Sequence, residues 1–264
     1  MNQPVILFRK GYDEENEFDE AKEYFKVVES RSECKDQLVI GRYSVLPFYH
    51  ELWKDLTYNG CNLANTTNQH LWIANFEYYY AFKDYTPESW DEHDWYRCID
   101  PGPFVIKGKT NSFKHSWDSM MYAPDRTAAA QIACTLMKHD AIRDQGIVYR
   151  KFVPLKTYEK GYNDVPITNE WRFFYWGEER LCHGYYWGNI ASEGITGEMT
   201  TEGLAFADKM ASIASEYAQF FVIDIAEKAD GGWILIEIND GQMSGLSDCK
   251  PDELYWNLMK VLSK

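Results

Sequence analysis

The sequence predicts an α+β chain in which a small α/β unit at the N-terminus precedes a larger mixed region built from hairpins and helices. Up to about residue 84, short apolar runs alternate with segments of helical period, the rhythm of a small α/β unit. The stretch "YTPESWDEHDWYRCIDPGP", residues 85 to 103, then mixes Pro, Gly and acids without sustained periodicity and marks a boundary. Beyond it, strands come in pairs separated by turn signals such as Gly177 and Asp230-Gly231, a pattern of hairpins rather than repeated crossovers.

In order along the chain, Pro4 to Phe8 reads as a short strand. An acidic helix follows from about Glu14 to Glu29, with Phe18, Ala21, Tyr24, Phe25 and Val28 at helical spacing. Leu38 to Tyr43 is a second strand, Pro47 to Leu56 a helix opened by Pro, and Thr66 to Asp84 a longer aromatic helix. After the boundary come a strand at Phe104 to Lys107, a helix at Thr127 to His139 and a strand at Gly146 to Val153. Glu170 to Tyr175 and Glu179 to Trp187 read as paired strands, and Leu204 to Ala218 as a helix leading into the hairpin "FFVIDIAEKADGGWILIEIND". Pro251 to Leu262 closes the chain as an amphipathic helix.

At 264 residues the chain can bury a core large enough for an enzyme. A formal charge of −14 argues against a protein that grips nucleic acid through phosphate contacts, which need clustered Lys and Arg. No apolar run has the length of a membrane span, and the N-terminal run is too short for a signal peptide. The six cysteines form no C-x-x-C pair and read as reduced thiols, so a soluble cytoplasmic protein is expected.

The hairpin carries acids inside its most apolar stretch. If Asp230-Gly231 forms a two-residue turn, Ala229 faces Gly232 and counting outward sets Asp224 opposite Glu237. Asn239 shares the face of Glu237. Opposed carboxylates repel at the roughly 4.5–5.5 Å of a cross-strand pair, so a cation should lie between them. Two acids and an amide oxygen suit Mg²⁺; the alternative is acids that face solvent, or one kept neutral by burial.

"DPGPFVIKGKTNSFKHSWD" ends a strand on Lys107 and opens a loop with Gly108, Lys109 and Lys114. Such a loop can aim ammonium groups at phosphates, although no Walker A pattern is present and a solvated surface gives the same signal. Arg172 in "NEWRFFYW" sits in an aromatic strand and needs an anionic partner, either a ligand or Glu170 two residues earlier on its face. Arg42 in "VIGRYS" raises the same question.

The order of the Lys107 strand, "VYRKFVPL", "EWRFF" and "VIDIAEKADGGWILIEINDG" resembles the ATP-grasp superfamily. The closest resemblance is to a mostly phage-associated clade named for an arginine and two lysines, through "IGRYSVLP", "VIKGKTNSFK", "EWRFF" and "IEINDGQMSGLS", covering residues 38 to 248. The resemblance implies an ATP-grasp fold: an N-terminal α/β domain at 1–100, then two α+β subdomains, 101–156 and 157–264, that clasp ATP. Asp224, Glu237 and Asn239 would hold one or two Mg²⁺ ions. Lys107 would contact the ATP phosphates, with Lys109 or Lys114 as helpers, and Arg172 would stabilise the transferred phosphate. The stretch from Arg150 to Val153 matches the adenine hinge, where the superfamily commonly carries Glu or Gln in place of Arg150; Lys151 and Val153 would supply main-chain bonds to adenine. Arg42 would recognise the acceptor.

The implied activity is a carboxylate–amine ligase working through an acyl-phosphate, with small-molecule or peptide substrates, in the cytoplasm or in a host cytoplasm if phage-encoded. A phosphotransferase on the same scaffold and a nucleotide-binding interaction protein without turnover are the alternatives, and the oligomeric state is left open.

Overall fold

The computed structural model describes residues 2–9 and 17–264. β1 (Asn2–Leu7), α1 (Glu17–Lys22), β2 (Lys26–Val28), β3 (Gln37–Gly41), α2 (Tyr49–Tyr58) and β4 (Asn62–Leu63) form the N-terminal unit. Its sheet is parallel, in the order β2-β1-β3-β4. The helix read from Glu14 to Glu29 is shorter than expected: positions 14 to 16 lie outside the described residues, and the chain leaves the helix after Lys22. Phe25 N closes onto Ala21 O, and Lys26–Val28 then pairs with β1. Two successive valines suit an open sheet edge better than another helical turn.

The helix read from Thr66 to Asp84 is two, α3 (Thr67–Ala74) and α4 (Tyr79–Phe82), broken where Phe76 takes φ +67°. In one straight helix Ile73 and Phe76 would lie nearly opposite Tyr78 and Phe82. The break brings all four into one core. β5 (Ser89–Asp91), inside the segment read as a linker, pairs with a later strand.

Next come β6 (Phe104–Gly108), α5 (Trp117–Met120), β7 (Tyr122–Ala123), α6 (Arg126–Leu136), α7 (Asp140–Arg143) and β8 (Ile147–Lys151). They complete an antiparallel sheet, β5-β8-β6-β7, covered by Ala129, Ile132, Ala133 and Leu136 of α6. A two-stranded ribbon follows, β9 (Thr157–Lys160) and β10 (Pro166–Thr168). β11 (Glu170–Trp176), β12 (Glu179–Tyr185), α8 (Thr201–Ala214), β13 (Phe220–Glu227), β14 (Trp233–Asp240) and α9 (Pro251–Leu262) finish the chain. Among the described residues no helix is long and apolar enough to cross a membrane.

The sheet β12-β11-β13-β14 is buried on both faces, which is why its strands read as almost unbroken apolar runs. Phe173, Tyr175, Phe221, Ile223 and Ile225 pack against α8 and the α3–α4 segment. Phe174, Phe220 and Val222 pack against Ile6, Phe8, Ile40 and α9. Further along this second face the hydrocarbon stops, and Arg172 lies opposite Asp224, which lies opposite Glu237.

That pairing arises differently from the two-residue turn expected. Lys228 N donates to Gly232 O at 2.9 Å, and Gly231 and Gly232 take φ +97° and +75°, so the loop is Ala229-Asp230-Gly231. Glu227 consequently faces Trp233, one residue out of the expected register. A bulge then intervenes: Ile225 faces Leu235 while Asp224 faces Glu237, leaving Ile236 extra. Odd loop and bulge cancel, and the two acids stand opposed.

The bulge has to find partners for backbone groups that leave the ladder. Arg150, only 5% exposed, donates from Nη1 to Ile236 O and from Nη2 to Thr86 Oγ1 at 2.5 Å. Thr86 Oγ1 donates to Leu235 O at 2.9 Å, and Leu235 N to Tyr85 O at 2.8 Å. Arg150 therefore couples the smaller sheet to the bulge. Arg150→Met should lower stability by about 1–3 kcal/mol, because it leaves a buried carbonyl without a donor; an unchanged urea midpoint would contradict this role.

Candidate active site

The cleft between the two four-stranded antiparallel sheets gathers three cations and three carboxylates. Arg172 forks Asp224, with Nε donating to Oδ1 at 2.9 Å and Nη2 to Oδ2 at 2.7 Å. Lys107, at the end of β6, donates to Glu237 Oε2. Lys114, in the loop after β6, places Nζ 3.8 Å from Glu170 Oε1 and 3.8 Å from the centroid of the Tyr186 ring. That ring also meets the Arg172 guanidinium, at 4.8 Å.

Burial alone would raise the Glu237 pKa, but Lys107 and Lys114 overcome it and hold the carboxyl well below the usual range. Glu170 goes the other way, since burial raises it and Lys114 offsets only part of that. Burial likewise works against the Lys114 ammonium, and the nearby Tyr186, Glu170 and Glu237 outweigh it. Glu170 is 4% exposed and its Oε1 has no hydrogen-bond partner.

A raised carboxyl pKa means that the fold favours the protonated form. Its contribution to stability is present below the unfolded pKa and lost as pH rises through the folded one. Glu170→Gln is thus expected to stabilise the protein by roughly 1 kcal/mol at neutral pH. The gain should shrink as pH falls toward the carboxylate range, which thermal unfolding across pH checks.

Lys107, Lys114, Glu170 and Glu237 line one cavity together with apolar Val105, Met121, Phe152, Val153, Leu155 and Ile236. Lys151 also borders it, but its N–H donates to Glu88 O and its ammonium pairs with Asp100 at 2.5 Å. The main-chain N–H of Val153 makes no hydrogen bond to the described residues. Lys109 turns away from the cavity, 3.3 Å from Glu92 Oε1. Asn239, half-buried, continues the Glu237 face of β14 opposite Val222.

Arg42 does not reach the cavity. It is 7% exposed and forks Glu17, with Nε to Oε1 at 2.6 Å and Nη2 to Oε2 at 3.1 Å. Its remaining donors go to the carbonyls of Gly241 and Ser244. Arg172 Nη1 donates to Gly245 O of the same loop at 2.8 Å. Two buried arginines thus hold the glycine-rich segment after β14 from either side.

The pairing of Arg172 with Glu170 that the strand suggested is not formed. Its partner is Asp224, and Glu170 faces Lys114 instead. A buried network at the end of β14 is hardly legible in the sequence. Asp240 accepts from Asn65 Nδ2 at 2.9 Å and from Gln242 N at 2.9 Å, and lies 3.0 Å from His70 Nδ1. His70 stacks on Tyr49 with ring centroids 3.9 Å apart, and Tyr49 OH donates to Asn65 O. The dipeptide Asn239-Asp240 was the one local signal of it.

Among the described residues no three His, Cys, Asp or Glu side chains converge as a complete metal cage. Two carboxylates and an amide on neighbouring strands are nonetheless hard oxygen donors of the kind that bind Mg²⁺ when phosphate oxygens and water complete the shell.

No curated protein matches the chain in sequence. Several solved structures match its fold over nearly its whole length. The D-cycloserine synthetase DcsG superposes with a TM-score of 0.61 at 11% identity, covering 98% of this chain and 99% of that one. A D-alanine–D-alanine ligase from Bacillus anthracis, complexed with ATP, gives 0.62 at 12%, covering 99% and 97%. The macrocyclase MdnC from Microcystis aeruginosa, bound with precursor peptide MdnA, gives 0.56 at 10%, covering 98% and 99%. The fold is therefore that of the ATP-grasp proteins, as the motifs around Lys107, Arg172 and Glu237 suggested. Residues 92–258 match an ATP-grasp domain family, the third family of the clade named for an arginine and two lysines, and the chain belongs to that family.

Proposed function

We propose that this protein is an ATP- and Mg²⁺-dependent ligase that joins a carboxylate to an amine through an acyl-phosphate. The observation that carries the reading is the convergence of Lys107, Lys114, Glu170 and Glu237 on one cavity that apolar side chains also line. Val105, Met121, Phe152 and Ile236 offer a slot for a flat heterocycle, beside which the Val153 N–H is an open donor. Glu170 Oε1, which accepts no hydrogen bond and has Lys114 3.8 Å away, accepts a sugar hydroxyl. Lys107 and Lys114 bind the phosphates, and Asp224, Glu237 and Asn239 hold Mg²⁺, which would neutralise charge on the transferred phosphoryl group.

Arg172, forked onto Asp224, would steady the phosphate as it moves. Lys109 and Arg42 act at one remove, Lys109 as a reserve cation of the phosphate loop and Arg42 through the loop it holds. Closing the two sheets on the substrate excludes water that would hydrolyse an acyl-phosphate. Small-molecule and peptide carboxylates both fit the reading, since the similar folds include a D-alanine–D-alanine ligase and a macrocyclase bound to a peptide.

The test is ADP release from Mg²⁺-ATP in the presence of amino-acid and peptide pools, with products read by mass spectrometry. A condensed product formed together with ADP supports the ligase. A phosphorylated acceptor as the end product would indicate a phosphotransferase. Absence of both ADP and thermal stabilisation by Mg²⁺-ATP would refute the enzyme reading.

A further inference from the structure

We infer that Lys107 occludes the metal site: its ammonium holds Glu237 until the phosphates of a nucleotide draw it away, so that cation and nucleotide enter together and neither is held tightly alone. The inference rests on the proposed reading of the cavity. Each carboxylate in and behind it already has a cation, Glu237 with Lys107, Glu170 with Lys114 and, fully buried, Asp224 with Arg172. The Lys107 and Glu237 side chains are 10% and 14% exposed, so the pair cannot part into bulk water at little cost.

A divalent cation arriving alone must pull Glu237 off Lys107 and leave a largely buried ammonium without an anion. A triphosphate arriving alone must take Lys107 and leave Glu237 uncompensated beside it. When both arrive, Lys107 passes to a phosphate oxygen as Glu237 passes to the cation, and every charge in the cluster keeps a partner. Lys107 and Glu237 line the same cavity, so both halves of the pair are within reach of what enters it.

The two halves of the pair should respond to substitution in mirror fashion. With Mn²⁺ as the probe, followed by the paramagnetic resonance of the free ion and without nucleotide, wild type should bind weakly. Lys107→Met should bind Mn²⁺ at least about five-fold tighter although it loses a phosphate contact, and adding Glu237→Gln should cancel the gain. Conversely, Glu237→Gln should bind β,γ-imido ATP in EDTA at least about five-fold tighter than wild type, because Lys107 is released to the phosphates.

Unchanged or weaker Mn²⁺ binding by Lys107→Met overturns the inference. Should that variant not fold, unchanged or weaker metal-free binding by Glu237→Gln overturns it equally. If wild type binds no imido-ATP even with Mn²⁺, the reading of the cavity itself falls, and the inference with it.

Discussion

Glu237→Gln is expected to lower Mg²⁺-dependent turnover by at least about 100-fold while leaving the fold intact, the scale of losing one preorganised electrostatic group at a reacting centre. The substitution keeps the shape of the side chain, so secondary structure and cooperative unfolding should persist. It removes the charge that opposes Asp224 across the strand pair. Steady-state ADP release beside circular dichroism separates the two effects, and activity within a few-fold of wild type would sink the metal assignment. The pH behaviour follows from the same pair. Because Lys107 and Lys114 hold the Glu237 pKa below the usual range, its contribution to stability is present above the unfolded pKa. It is lost only as pH falls through the depressed folded value. Acid inactivation near pH 4 to 5, about where free carboxylates titrate, would therefore have to come from other groups.

Arg172→Ala should be the most destabilising single change in the cleft, about 3–5 kcal/mol, since it strands a carboxylate with no exposure at all. It also frees the loop carbonyl of Gly245. Combining it with Asp224→Asn should recover a large part of the loss, because the uncompensated charge disappears, yet turnover should stay absent. Urea unfolding of the single and double variants reads the first effect and ADP release the second. If the double variant were as unstable as Arg172→Ala alone, the paired charge would not be what Arg172 serves in the fold.

Some of this was open to sequence reasoning and some was closed to it for identifiable reasons. Strand-end position singled out Lys107, and alternation set Asn239 on the face of Glu237, because both depend only on neighbours within a few residues. The facing of Asp224 and Glu237 was reached from a turn of the wrong length, and it stands only because a bulge at Ile236 restores what the longer loop displaces. Nothing local announces that bulge; Arg150 and Thr86, which satisfy it, lie far away in the chain. Arg172 was offered Glu170 because the two share a strand face, but same-strand neighbours stand further apart than a directly opposed cross-strand pair. Which strand would lie beside Arg172 was not written near it. The carbonyl partners of Arg42 were hidden for the same reason, being about two hundred residues away. The short β2, β4 and β5 fell below the length at which periodicity speaks.

The two-sided burial of the β11–β14 sheet makes a mechanical body larger than the family match. The family likeness begins at residue 92, yet both coverings of that sheet draw on earlier residues: Ile73, Phe76, Tyr78 and Phe82 on one side, and Ile6, Phe8 and Ile40 on the other. Asn65 and His70 reach from the same early segment to Asp240, one residue past Asn239. The N-terminal third is thus part of the chassis on which the acids are mounted, and drift in its sequence would be felt at the cleft as a change of alignment rather than of chemistry.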